Sequence, residues 1–419
     1  MTNTTAGALT RGQTVAWRNA VFVIFLLPGV GIASWVSRLP AARDALHVSP
    51  AQVGFLVFGI AAGSIIGLVA SSHVVARIGA RTTIAWGLVA TALGLVIAGF
   101  GATVGPSFAV AFLGLVVFGA ASGLTDVAMN VLGAANERAL GRAIMPIFHA
   151  FFSFGTMLGA GLGALAEVLG VPIAVHLSVI AVVIVAAMFV ARPFLQSEDV
   201  YGDDGEPVAE DDHSKTWRGR LSIWRDPRTI LIGLLVLGAA FAEGSANDWL
   251  AIAMVDGHGV SNATGALVFG VFVTAMTAGR LTGVFLLDKF GRVPVLRGSF
   301  LLAAIGLLIV IFVPNPYVAI GGAVLWGLGA ALGFPVGMSA AADDPKTAAA
   351  RVSAVATIGY FAFLVGPPVI GLLGEYTGVL HALLIVLVLC AVGAVVAGGA
   401  REPKAGAVAS VNTFADPQS

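Results

Sequence analysis

Apolar residues run through this chain in long unbroken stretches rather than alternating with polar ones. Twelve can be drawn, at about 17–37, 50–74, 83–101, 106–134, 146–169 and 173–191, then 229–252, 262–287, 294–313, 317–341, 353–373 and 377–399. Each is close to or longer than the roughly 20 residues a helix needs to cross the hydrocarbon core of a bilayer. Only helices and closed barrels satisfy every backbone polar group in lipid, and barrel strands would alternate polar and apolar residues over short segments. These stretches do not alternate. The pattern therefore predicts an all-α integral membrane protein with 12 transmembrane helices. A polar segment divides them into two bundles of six, with expected domains 1–191, linker 192–228, 229–402 and tail 403–419.

Composition agrees. Charged residues are 11% of the chain and hydrophobic ones 58%, whereas a soluble domain carries about 25% charged residues. All of the 22 Lys and Arg except Arg38, Arg43 and Arg280 fall on one side of the membrane when both termini are placed in the cytoplasm. The positive-inside rule thus predicts that orientation and an even number of spans, in a bacterial inner membrane. The first stretch follows Arg11 and Arg18 but lacks a small-residue cleavage site, so it reads as an uncleaved first helix. No basic patch exists apart from this loop bias, so nucleic acid is not an expected partner. Cys390 is the only cysteine, which rules out a disulfide framework and a thiolate metal cluster. No P-loop, His-rich metal spacing or nucleophile–base constellation is present, so neither an enzyme nor a cofactor is expected.

The linker is acidic from Glu198 to Asp212 and basic from Lys215 to Arg228. It reads either as a docking segment or as a solvated connector whose basic end anchors the seventh span at the anionic leaflet. The two halves repeat. At an offset of 208 residues Gly327 meets Gly119 and Glu375 meets Glu167, and the loop ARIGAR (76–81) matches DKFGRV (288–293). Two related bundles can rock around a site held between them, which is the basis of alternating access.

The segment GRLTGVFLLDKFGR (279–292) resembles the signature loop of the major facilitator superfamily. Asp288, Lys289, Gly291 and Arg292 match its pattern. The first-half copy keeps Arg77, Gly79 and Arg81 but has Ala76 where Asp is usual. The segments WVSRLP (35–40), TDVAMN (125–130), NERALGR (136–142) and FHAFFSFG (148–155) are similar to the YbjJ- and MosC-like branch, related to fucose–proton symporters. That resemblance implies a monomeric secondary transporter in which Asp126, matching a cavity-lining acid of the fourth span, takes part in proton coupling. The family's acidic residue in the first span has no counterpart here.

Ionisable groups at membrane depth are costly and mark candidate sites. Asp126 lies 11 residues from Glu137, which places it roughly 16 Å deep at 1.5 Å per residue. Asn130 is one turn away on the same face, and His149 enters from the fifth span, so the three are expected to share a pocket. They align with Phe334, Met338 and Thr357 in the other half, so the repeated fold does not itself require the polar groups. The structural alternative is an interhelical hydrogen-bond cluster. In the seventh span Glu243 and Asn247 share a face and are expected to form the opposite wall of the cavity. Asp248 either joins an outer gate or faces outside water. Trp35 and Trp249 correspond at an offset of 214 and read as outer-interface anchors or as sugar-stacking platforms. Arg38 is expected to pair with Asp248 or Glu243 in that gate, or else to snorkel to water. Arg280 is expected to pair with Asp288 or loop acids as an inner latch.

Small residues in GTMLGAGLG (155–163) predict close helix approach, and the double proline in VGPPVIG (365–371) predicts a bend in the eleventh span. Taken together, the residues point to proton-coupled uptake of a small sugar or polyol substrate. The alternative is a proton-coupled efflux pump for amphipathic compounds.

Overall fold

The computed structural model describes residues 9–141, 144–196, 223–344 and 347–402. The acidic run of the linker and most of the tail lie outside these residues. Among the described residues, twelve helices are long and apolar enough to cross a membrane. We number them α1 (Arg11–Val36), α2 (Pro50–Ile78), α3 (Ala80–Thr103), α4 (Phe108–Leu140), α5 (Met145–Val168), α6 (Ile173–Ala191), α7 (Pro227–His258), α8 (Asn262–Phe290), α9 (Arg292–Phe312), α10 (Pro316–Ala341), α11 (Ala348–Thr377) and α12 (Val379–Ala400). A short helix, Leu39–Leu46, joins α1 to α2. No strand occurs among the described residues. Large apolar side chains such as Val69, Val190 and Val395 are exposed around the perimeter. An apolar belt of that extent fits lipid and not water.

Local signals set the helix ends. Thr10 and Ser49 close capping boxes with Gln13 and Gln52 at the starts of α1 and α2. Gly79 and Gly291 sit at φ of 77° and 76°, each between two helices of a signature loop. That left-handed backbone is where glycine has no Cβ penalty, so the repeated loop keeps its glycine for a conformational reason. Within the first half, glycines let backbones touch. A Cβ at Gly155 would stand 2.1 Å from the Leu26 carbonyl of α1, and one at Gly159 2.5 Å from that of Val30. This is the close approach predicted for 155–163.

We call the end of the bundle that carries α1's start and α12's finish the termini end, and the opposite one the far end. Polar contacts between the halves gather at the far end. Arg43 Nη1 donates to Asp256 Oδ1 at 2.6 Å, and Asn262 donates to Asp44 at 3.1 Å. The Ala51 N–H, in the first turn of α2, donates to Glu375 at 3.2 Å. Beneath these contacts α2 and α11 meet backbone to backbone, where a Cβ on Gly54 would lie 2.5 Å from the Pro367 carbonyl. At the termini end, Asp343 accepts from both Arg228 at 2.7 Å and Arg292 at 2.8 Å, within the second half. Arg228, the last basic residue of the linker, is thus tied to protein, while Lys215, Arg218 and Arg220 lie outside the described residues.

Candidate functional site

On α4, residues four apart stand one above the other, and Asn130 Nδ2 donates to the Asp126 backbone carbonyl at 2.8 Å and lies 3.4 Å from its carboxylate. His149 on α5 completes the chain: its Nε2 is 3.1 Å from Asn130 Oδ1, which it donates to in the Nε2–H tautomer. The imidazole is held edge-on against Phe25, 5.3 Å between ring centres. The three side chains are thus linked as expected, but of them only His149 lines one of the two spaces between the halves. Asp126 and His149 are both solvent-accessible, and Asp126 has no cationic partner among the described ion pairs.

The second half contributes a charged pair. Arg280 Nη2 of α8 donates to both oxygens of Glu243 on α7 at 2.9 Å, with the side chains 32% and 17% exposed. This corrects the expected latch: Arg280 points to the cavity acid rather than to Asp288. The reason is register, since Arg280 lies two turns before Asp288 on α8 and faces α7 at membrane depth. Just beyond Glu243, α7 widens into one π turn, Ala246–Leu250. Such insertions re-aim side chains and often mark functional positions. Here both Asn247 and Asp248 line the cavity.

Two spaces run along the interface between the halves. A central cavity of about 340 Å³ is lined by α1, α2, α5, α7, α8 and α11, with Ser64, Thr156, Glu243, Asn247, Asp248 and Tyr360 among its polar groups. A vestibule of about 730 Å³ lies toward the termini end, lined by His149, Asp288, Arg292 and Glu402. Ser153 and Arg280 border both. The protein is therefore closed at the far end and open at the termini end. Among the described residues no three His, Cys, Asp or Glu side chains are grouped to hold a metal ion.

The Major Facilitator Superfamily description matches residues 20–252 and 244–415. The chain belongs to the major facilitator superfamily. This superfamily fold supports secondary transport of small molecules by alternating access. An uncharacterized MFS-type transporter of Yersinia pestis is 32% identical over 356 residues, 84% of this chain and 87% of that protein. The membrane protein MosC of Rhizobium meliloti is 26% identical over 382 residues, covering 90% and 88%. Among solved structures, the nucleoside transporter NupG superposes with a TM-score of 0.69 at 16% identity, covering 93% of this chain and 98% of that one. The resemblance to this superfamily, MosC included, holds.

Several expectations for this superfamily member need correction. Arg38 does not reach Asp248 or Glu243. It is buried within the first half, paired with Glu167 at 2.9 Å and donating to the Val171 carbonyl at 2.8 Å. The contact between halves falls instead to Arg43, one turn further along the short helix. Trp35 and Trp249 are both 0% exposed with unpartnered indole nitrogens. They fill helix packing and neither stack on cargo nor sit at a lipid interface. In the signature loops Lys289 lies over the Phe290 ring and Arg292 binds Asp343 and Ser339, while Asp288 borders the vestibule. The Arg81 Nε is buried without a hydrogen-bond partner, and no partner is described for Arg77. The sequence reading missed Tyr360, a hydroxyl inside an apolar run and so a usable signal. It also missed the π turn, for which local sequence gives none.

Proposed function

We propose that this chain imports a sugar or sugar-like small polar solute together with protons, by rocking residues 1–191 against 229–402 as a monomer. Both termini then lie in the cytoplasm of a bacterial inner membrane, and the structure corresponds to the inward-facing state. The observation that carries the reading is the division of polar groups between the halves: an uncompensated Asp126 with Asn130 and His149 on one side, and Asn247 beside the Arg280–Glu243 pair on the other. Neutral amide and imidazole groups both donate and accept hydrogen bonds, which suits hydroxyl-rich cargo. A volume of about 340 Å³ suits a small molecule. The structural relative NupG is named for nucleosides, solutes built on a sugar ring. Asp126 is assigned the proton, because a carboxyl with no fixed cation is free to gain and lose charge as the site closes and opens. Asn130, His149, Glu243 and Asn247 are assigned to cargo, and the signature residues Arg77, Gly79, Arg81, Asp288, Lys289, Gly291 and Arg292 to the change of conformation.

Ile32, Val36, Val57, Phe269 and Phe363 give the cavity an apolar wall, which favours the second reading, export of an amphipathic compound in exchange for protons. Proteoliposomes with an internal pH dye separate the two. Internal acidification on adding a sugar or polyol outside supports import. Proton movement opposite to an amphipathic cation supports export. Asp126→Asn should keep solute exchange and lose proton-driven accumulation, and full accumulation by that variant refutes the assignment.

A further inference from the structure

Asp248 borders the central cavity and also a small hollow between α7 and α11, lined by Gly244, Phe363, Gly366 and Pro367. No hydrogen bond or ion pair is described for its carboxyl. The charged and titratable groups around the cavity are few. Glu243 shares its helix, α8 offers Arg280, already taken by Glu243, and α11 offers Tyr360. The α1 wall is apolar, and α2 and α5 present only the hydroxyls of Ser64, Ser153 and Thr156.

The hollow explains what this carboxyl has to meet. Pro367 and Pro368 stand four and five residues after Phe363 in α11. Proline has no N–H, so the Phe363 carbonyl lacks both its i+4 and its i+5 donor. Backbone acceptors at membrane depth need a partner. A carboxylate only accepts, whereas a protonated carboxyl carries one O–H donor. The π turn is what places Asp248 on this face of α7.

We propose that Asp248 is a second proton-carrying residue of the transport cycle, whose neutral carboxyl donates to the proline-freed carbonyls of α11 and whose ionised form releases them. The proposal rests on the proton-coupled reading above. The proton comes from water on the side to which the cavity is open and returns to water on the other side. On loading, a hydronium O–H bond breaks as the carboxyl O–H bond forms, and on release the carboxyl O–H bond breaks as water takes up the proton.

The test has two arms. Infrared difference spectra between acid and neutral pH, on the full-length protein in lipid without solute, report protonated carboxyls. Asp248→Asn should lose one such band, and Asp126→Asn a different one. In proteoliposomes, L-fucose, xylitol and uridine serve as probes. For whichever is carried, accumulation by Asp248→Asn under a one-unit pH gradient, taken relative to the same variant's own counterflow, should fall by about tenfold per uncoupled proton. Asparagine retains a donor for α11, so the fold should survive. A full set of infrared bands in Asp248→Asn, or unchanged accumulation, overturns the proposal. If the unmutated protein carries a probe but moves no proton with it, coupling itself is refuted and the proposal falls with it, a result the solute-free infrared arm keeps distinct.

Discussion

Gly54→Ala should push this transporter out of the conformation described. A Cβ at Gly54 would stand 2.5 Å from the Pro367 carbonyl oxygen and 3.0 Å from Pro368 Cα. Both are backbone atoms of a packed helix, so neither swings aside as a long side chain would. Overpacking of this kind typically costs about 1–3 kcal/mol. The penalty falls only on the state in which α2 and α11 touch. Alanine's better helix propensity, about 1 kcal/mol over glycine, applies in either state and cancels. The equilibrium should therefore move toward far-end opening by about 5- to 140-fold, at 1.4 kcal/mol per tenfold. Ala61 lines the central cavity, so Ala61→Cys reports which side reaches it. The native Cys390 is buried and silent. A membrane-impermeant maleimide on oriented vesicles should label Ala61→Cys faster from the far side in the Gly54→Ala background and more slowly from the termini side. Unchanged rates on both sides, or an equal shift from Gly298→Ala, where a Cβ meets nothing within 4 Å, would refute the packing argument.

Two further outcomes follow from charged contacts. Arg280→Ala strands the Glu243 carboxylate, and breaking a buried pair from one side costs about 3–5 kcal/mol. With the partners 32% and 17% exposed, screening should bring the loss below that range. Adding Glu243→Gln should restore most of the thermal stability in detergent, and a double variant no better than the single one contradicts this account. Glu402 accepts from the Arg292 N–H at the start of α9 at 2.6 Å, which holds its carboxyl below the usual glutamate value. A depressed folded-state value means the contribution is complete above the ordinary glutamate range and is lost as pH falls through the lowered value. Melting temperature against pH should show an acid-side drop that is smaller in Glu402→Gln, and superimposable curves would count against it.

Helix number, the six-and-six division and the glycine crossings were legible because each is written locally: in run length, in a polar break, in small residues at helical spacing. The Asp126–Asn130–His149 chain was legible for the same reason, as two residues share a face and the third enters at a matching depth. Partner choice was not. Arg38 and Arg43 look alike in sequence, yet a difference of five residues turns one into the first half and the other across to Asp256. Arg280 went astray similarly, because its distance along α8 says nothing of which neighbouring helix it faces. The tryptophans misled because aromatic residues near a span's end suit an interface as well as a core, and packing against Gly371 decides for the core at Trp249.

The meeting of α2 with α11 has a consequence for energy conservation. A membrane carrier that opens to one compartment at a time must not let a file of hydrogen-bonded water connect both, or the proton gradient drains without useful movement. Side-chain gates leave crevices and polar groups along which such a file can form. Where Gly54 and Gly371 press directly on the opposing backbone, there is neither room for water nor a side chain to relay a proton. This seam is a dry seal, and resting leak through it should stay low whatever the external pH or salt.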